Sequence, residues 1–111
     1  MRLFILMLLF SFYGNQSYGQ HIPSEIVANK IAQKMKDSLS LTEEQRIALV
    51  TINMQINQSK AAVWQQYSTD SLIQVNLQLI ENTRDSLYLP VLTTQQHQLY
   101  LFKKRTLLKN D

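Results

Sequence analysis

Apolar residues recur at helical spacing along most of this chain. Val27, Ile31 and Met35 repeat every fourth residue, which predicts a first helix over about 24–38. Lys30, Lys34, Lys36 and Asp37 fall on its outer side. Pro23, followed by Ser24 and Glu25, suits the start of that helix. A second helical pattern runs from Thr42 to about Tyr67 without a glycine or proline. It predicts a rod on the order of 39 Å long. On a helical wheel Leu49, Ile52, Ile56, Val63 and Tyr67 form one apolar stripe. Ile47, Val50, Met54, Ala61 and Trp64 form another, with its centre roughly 150° away. Asn53, Gln55, Gln58 and Lys60 fall between the stripes. A surface helix needs one apolar stripe, so two stripes predict two neighbours. One stripe is expected to pack internally, and the face of Ile47, Val50, Met54 and Trp64 to meet a second copy or a protein partner.

Ser68 to Asp70 interrupts the pattern, and a third helix is predicted over about 70–88. Ile73, Leu77, Ile80, Leu87 and Tyr88 share a face with Arg84, while Val75 and Leu79 point away. Pro90 ends this helix by pushing the preceding residue out of the α region. Leu99 to Phe102 is an unbroken apolar run, and residues 98–102 also have strand propensity. The threonine cap before it and the KKRTLLK segment after it favour a fourth helix. The pattern as a whole predicts an all-α fold of long antiparallel helical hairpins, about four helices in number.

Residues 1–19 read differently. Arg2 precedes an apolar run from Leu3 to Phe12, and Ser17 and Gly19 put small residues before a cut at Gln20. That is the form of a secretory signal peptide. The run is about half the roughly 20 residues that a membrane span needs. The expected mature protein is therefore residues 20–111, a single helical domain exported to the periplasm with no stable membrane anchor. Without Arg2 it carries 10 basic and 8 acidic residues, so the net charge of +3 for the whole chain falls to +2. Lys103, Lys104 and Arg105 form the longest basic run, too sparse for a nucleic-acid surface and suited to a helix C-terminus. The absence of cysteine excludes disulfides, thiol nucleophiles and Cys-ligated zinc.

The most specific signal is a repeated helix start. Leu41-Thr42-Glu43-Glu44-Gln45 and Leu92-Thr93-Thr94-Gln95-Gln96 share the pattern L-T-x-x-Q, 51 residues apart. Threonine at the N-cap and glutamine at N3 make a capping box. Arg46 and His97 occupy the usual staple position, where only the Arg46 stem could pack. The paired motif, the leader and the long amphipathic helices resemble the Spy/CpxP-like periplasmic proteins, over about residues 24–108. The resemblance implies hairpinned helices, often in a cradle-shaped dimer. It also implies an envelope-stress role: ATP-independent chaperoning of unfolded clients, or restraint of a sensor kinase. In that family Leu41, Thr42, Gln45, Leu92, Thr93 and Gln96 would be structural. Some relatives bind transition metals through His, Met and Glu, for which His21, Met35, Met54 and His97 are the residues available here. Core filling is the preferred reading of both methionines, and no metal site is expected.

Catalytic patterns are missing. His21 and His97 lie far apart, with no base placed for a serine nucleophile. His97 is expected in the first turn after its cap, partly exposed, and His21 near the new N-terminus. Glu43 and Glu44 suit the helix dipole, and Glu81, Arg84 and Asp85 read as a solvated, charge-compensated face. The expectation is a non-enzyme without cofactor: a small exported binding protein for unfolded envelope clients, homodimeric. The alternatives are a regulatory or metal-responsive adaptor for one envelope partner, and a purely structural self-associating subunit.

Overall fold

Four helices follow one another in the computed structural model, which describes residues 18–109 and the side chains from residue 24 onward. They are α1 (Tyr18–Leu39), α2 (Glu43–Gln66), α3 (Asp70–Tyr88) and α4 (Thr94–Leu107), and there is no strand among the described residues. The protein is thus all-α, and Leu99 to Phe102 lie in α4 and not in a strand. The expected signal peptide falls outside the described residues except for Tyr18 and Gly19, and no side chain of His21 is described. Helix α1 begins upstream of the expected start, so Pro23 lies inside it. A proline this close to the N-terminus removes a single early hydrogen bond and leaves the rest of the ladder intact.

The turns explain where the helices stop. Helix α1 ends in a Schellman arrangement: Ser40 takes a left-handed φ of 58°, and the Leu41 N–H donates to the Lys36 carbonyl at 3.1 Å. Leu41 is thereby folded back into the core beside Met35. Helix α3 ends at Tyr88, just before Pro90, and the Val91 and Leu92 N–H groups both donate to the Tyr88 carbonyl. The turn between α2 and α3 is the least tied. Thr69 has extended N-cap geometry without a side-chain cap, so only Asp70 in the first turn complements the α3 dipole.

Side-chain bonds show that neighbouring helices run antiparallel. Asn57 of α2 donates to the Ser24 carbonyl at 3.2 Å, and Asn53, one turn earlier, to the Ala28 carbonyl at 3.1 Å. Between α2 and α3, Lys60 pairs with Glu81 and Asn53 meets Tyr88. Helix α1 packs on α2 and also on α4. Ala28 and Ala32 are fully buried, and their small side chains allow the close approach to α1. Ile31, Met35, Leu39, Leu49, Tyr88 and Tyr100 build the core with the two motif leucines, Leu41 and Leu92.

The two expected stripes of α2 fare differently. Leu49, Ile56 and Val63 are buried, and Ile52 packs at the margin of the core. In the second stripe Ile47 and Trp64 are exposed, at 53% and 60%. Met54 is half-buried, and Val50 packs against the core from its edge. Of the expected partner face Ile47, Val50, Met54 and Trp64, only Ile47 and Trp64 are exposed, and Val50 and Met54 are half-buried. Val50 and Met54 lie at the margin of the open side of α2, on the flank that turns toward buried Asn53, so a neighbouring helix covers them in part. Asn53, expected between the stripes, is fully buried. It lies only about 40° around the wheel from Leu49, toward the seam where α1 and α3 converge on α2.

Candidate functional site

The two L-T-x-x-Q motifs meet in space. Each forms its own capping box: the Thr42 Oγ1 accepts from the Gln45 N–H at 3.1 Å, and the Gln45 Oε1 accepts from the Thr42 N–H at 2.9 Å. Thr93 and Gln96 repeat both bonds at the same lengths. Each glutamine then reaches across with its amide N–H2. Gln45 Nε2 donates to the Val91 carbonyl at 2.9 Å and to Gln96 Oε1 at 2.8 Å. Gln96 Nε2 lies 3.4 Å from the Ser40 carbonyl. Val91 and Ser40 each stand two residues before a capping threonine, so the crossing bonds are related by a local pseudo-two-fold. Each glutamine thus caps its own helix and ties down the turn that leads into the other. Glutamate at N3 would serve a capping box equally well. It could not donate, so the crossing explains the choice of glutamine in both copies.

Beside this lock runs a polar network through the bundle. Tyr88, fully buried, donates to Asn53 Oδ1, whose amide donates to the Ala28 carbonyl. Tyr88 stacks edge-on against Tyr100 at 5.0 Å between ring centroids. The Tyr100 hydroxyl donates to Asp85 Oδ1 at 2.6 Å, and Lys104 Nζ donates to Asp85 Oδ2 at 2.6 Å. His97 Nε2 bonds the Asp85 carbonyl at 3.0 Å. Burial, reinforced by the adjacent Asp85 carboxylate, pushes the Tyr100 hydroxyl well above the usual tyrosine range, so it stays protonated and remains a donor. Arg84 is fully buried and pairs with Glu81 at 3.4 Å; Glu81 also bridges to Lys60 at 2.5 Å.

This network corrects two expectations. Glu81, Arg84 and Asp85 are not a solvated face, because α2 and α4 close over that side of α3 and supply Lys60, Tyr100 and Lys104. His97 is buried at 9% exposure, since its ring turns inward to the α3 backbone. Arg84 had one legible signal, its place on the apolar face of α3. The partners of Asp85 had none, as they lie on a helix whose rotation was unknown. Among the described residues there is no group of three or more His, Cys, Asp or Glu placed to hold a metal ion. Met35 is fully buried in the core and Met54 half-buried.

Arg46, at the staple position after the first cap, is tied by its charged end. The Arg46 guanidinium clamps Glu43 at 2.6 and 2.9 Å and reaches Asn29 at 3.3 Å. Arg46 first, and then Lys36 at 3.0 Å, hold the Glu43 carboxyl down at about 2 against an ordinary 4.5. A carboxyl held low in the folded state contributes stability above its unfolded pKa, which is lost as pH falls through the folded value. Stability from this cluster is therefore complete above pH 4.5 and gone near pH 2. Because Glu43 is exposed, the contribution is small and salt-screened. Glu43→Gln is expected to flatten the acid limb of the denaturation curve within that window. Parallel wild-type and Glu43→Gln curves there would discard the ion-pair cluster as a source of acid sensitivity.

A line of exposed apolar residues lies on α3. Leu72, Val75 and Leu79 are 49%, 57% and 55% exposed. Their spacing sets them on one line along the helix, opposite Ile73, Arg84 and Tyr88. Gln78 and Asn82 beside them are also exposed and uncharged. No family model, curated protein or solved structure matches this chain.

Proposed function

We propose that this is a small exported binding protein that holds other polypeptides on an apolar helix face, without catalysis. The observation that supports the reading is the Leu72, Val75 and Leu79 line on α3, apolar, exposed and flanked by neutral amides. Soluble proteins seldom leave such a line uncovered unless it is used. A charge-free surround suits polypeptides of varied sequence, since it repels none of them by sign. The clients in this reading are unfolded envelope proteins, as the resemblance to Spy/CpxP-like proteins implies. Between clients a second copy of the chain covers the same line, giving a homodimer. The leader-like residues 1–19 support a periplasmic location.

The test pairs light scattering of several aggregating clients with sedimentation of the protein alone. Val75→Asp/Leu79→Asp is expected to keep the helical circular dichroism and melting temperature, because both residues are exposed. It is expected to lose most suppression of aggregation and to shift the protein toward monomer. Undiminished suppression by this variant, or no suppression by the wild type, would sink the reading. One crosslinked partner in place of general suppression would replace it with the regulatory adaptor.

A further inference from the structure

Helix α4 carries a second unpartnered face of different chemistry. Its inner side is occupied by His97, Tyr100 and Leu107, with Lys104 bound to Asp85. Diametrically opposite stands Phe102, 84% exposed, a higher value than for any other large apolar residue described. Leu99 lies about 60° to one side of it on the wheel, and is 37% exposed. Arg105 lies about 60° to the other side and Lys103 about 100° around. Lys109 is exposed just past the helix end. No acidic residue occurs between Asp85 and Asp111 in the sequence. The dipole accounts for cations in the last turn. It does not account for an aromatic ring held fully outward among them.

We propose that this face of α4 docks on an anionic lipid bilayer, with Phe102 inserted at the headgroup level and Lys103, Arg105 and Lys109 on the lipid phosphates. An outward aromatic flanked by cations is the arrangement by which interfacial helices bind such membranes. Charge complementarity selects the anionic surface, and the exposed ring selects a bilayer over an acidic polypeptide, which needs only the cations. Among the described residues no helix is long and apolar enough to span a membrane. This face is separate from the α3 line, and the inference stands independently of the client-holding reading.

The experiment uses the full chain with Trp64→Phe/Phe102→Trp, which leaves a single tryptophan at the docking point. Its emission is expected to shift to the blue with vesicles of mixed phosphatidylcholine and phosphatidylglycerol at low salt. High salt should reverse the shift, and phosphatidylcholine alone should not produce it. Because the readout is local to position 102, binding by the N-terminal apolar run does not mimic it. Adding Lys103→Glu/Arg105→Glu is expected to weaken the response by roughly tenfold or more, with unchanged circular dichroism. No shift on anionic vesicles, or a shift equal on neutral vesicles, overturns the proposal. So does an equal response from the charge-reversed variant, or polyglutamate producing the same shift as the vesicles.

Discussion

Asn53→Ala is expected to cost about 3 kcal/mol of stability, read from urea denaturation midpoints at constant m-value. Asn53 is fully buried and joins three helices: its amide donates to the Ala28 carbonyl of α1, and its oxygen accepts from Tyr88 of α3. Truncation removes both bonds and leaves a cavity where packing was complete, so a transfer and a cavity cost add to the hydrogen-bond loss. Tyr88→Phe removes only the hydroxyl and should cost about 1 kcal/mol. If the two residues act as one unit, the double variant falls short of the sum by about 0.5 kcal/mol or more. Full additivity would mean that the bond between Tyr88 and Asn53 contributes nothing to stability. An Asn53→Ala cost below about 1 kcal/mol would remove it from the core altogether.

The glutamines of the paired motif should matter more than the threonines. Thr42→Ala removes one N-cap bond and is expected to cost about 1 kcal/mol. Gln45→Ala removes the return bond to Thr42 and both crossing bonds, to Val91 and to Gln96. At about 0.5–1.5 kcal/mol per partly buried bond, about 2 kcal/mol is expected. Gln45→Glu separates the two roles. It preserves the acceptor for the Thr42 N–H but turns a carboxylate toward the Val91 carbonyl and Gln96 Oε1. It should therefore melt no higher than Gln45→Ala, although glutamate is a good N3 residue in isolated helices. A Gln45→Glu protein as stable as wild type would reduce the motif to two unconnected caps.

The lock shows how far local sequence carries and where it stops. Both capping boxes were legible, because an N-cap threonine and an N3 glutamine meet within one turn whatever surrounds them. That the amide N–H2 of each glutamine crosses to the opposite turn was not legible. It depends on two chain segments 51 residues apart arriving at one place. The left-handed Ser40 was hidden for a related reason. A serine there carries no glycine signal, and the buried Leu41 that follows holds the turn in place.

The interior divides the same way. Helical periodicity specified the four helices, the turn at Pro90 and the buried line Leu49, Ile56 and Val63, since these follow from side-chain spacing on a single rod. Periodicity also turned Val75 and Leu79 away from the inner face of α3, and both are exposed. The fate of other apolar residues was decided by tertiary structure: Val50 packs at the core margin while Leu72 and Phe102 face outward, because exposure depends on which neighbour covers each arc of a helix. The polar interior was decided there too. Asn53, Asp85 and Tyr100 lie on three different helices, and only the packed bundle brings a donor to each acceptor. Sequence alone therefore determined the elements and the two capping boxes, which are set by bonds within a turn. The packing of helices determined the polar network, the glutamine lock and the surfaces left open, because each requires groups that meet only when the chain is folded.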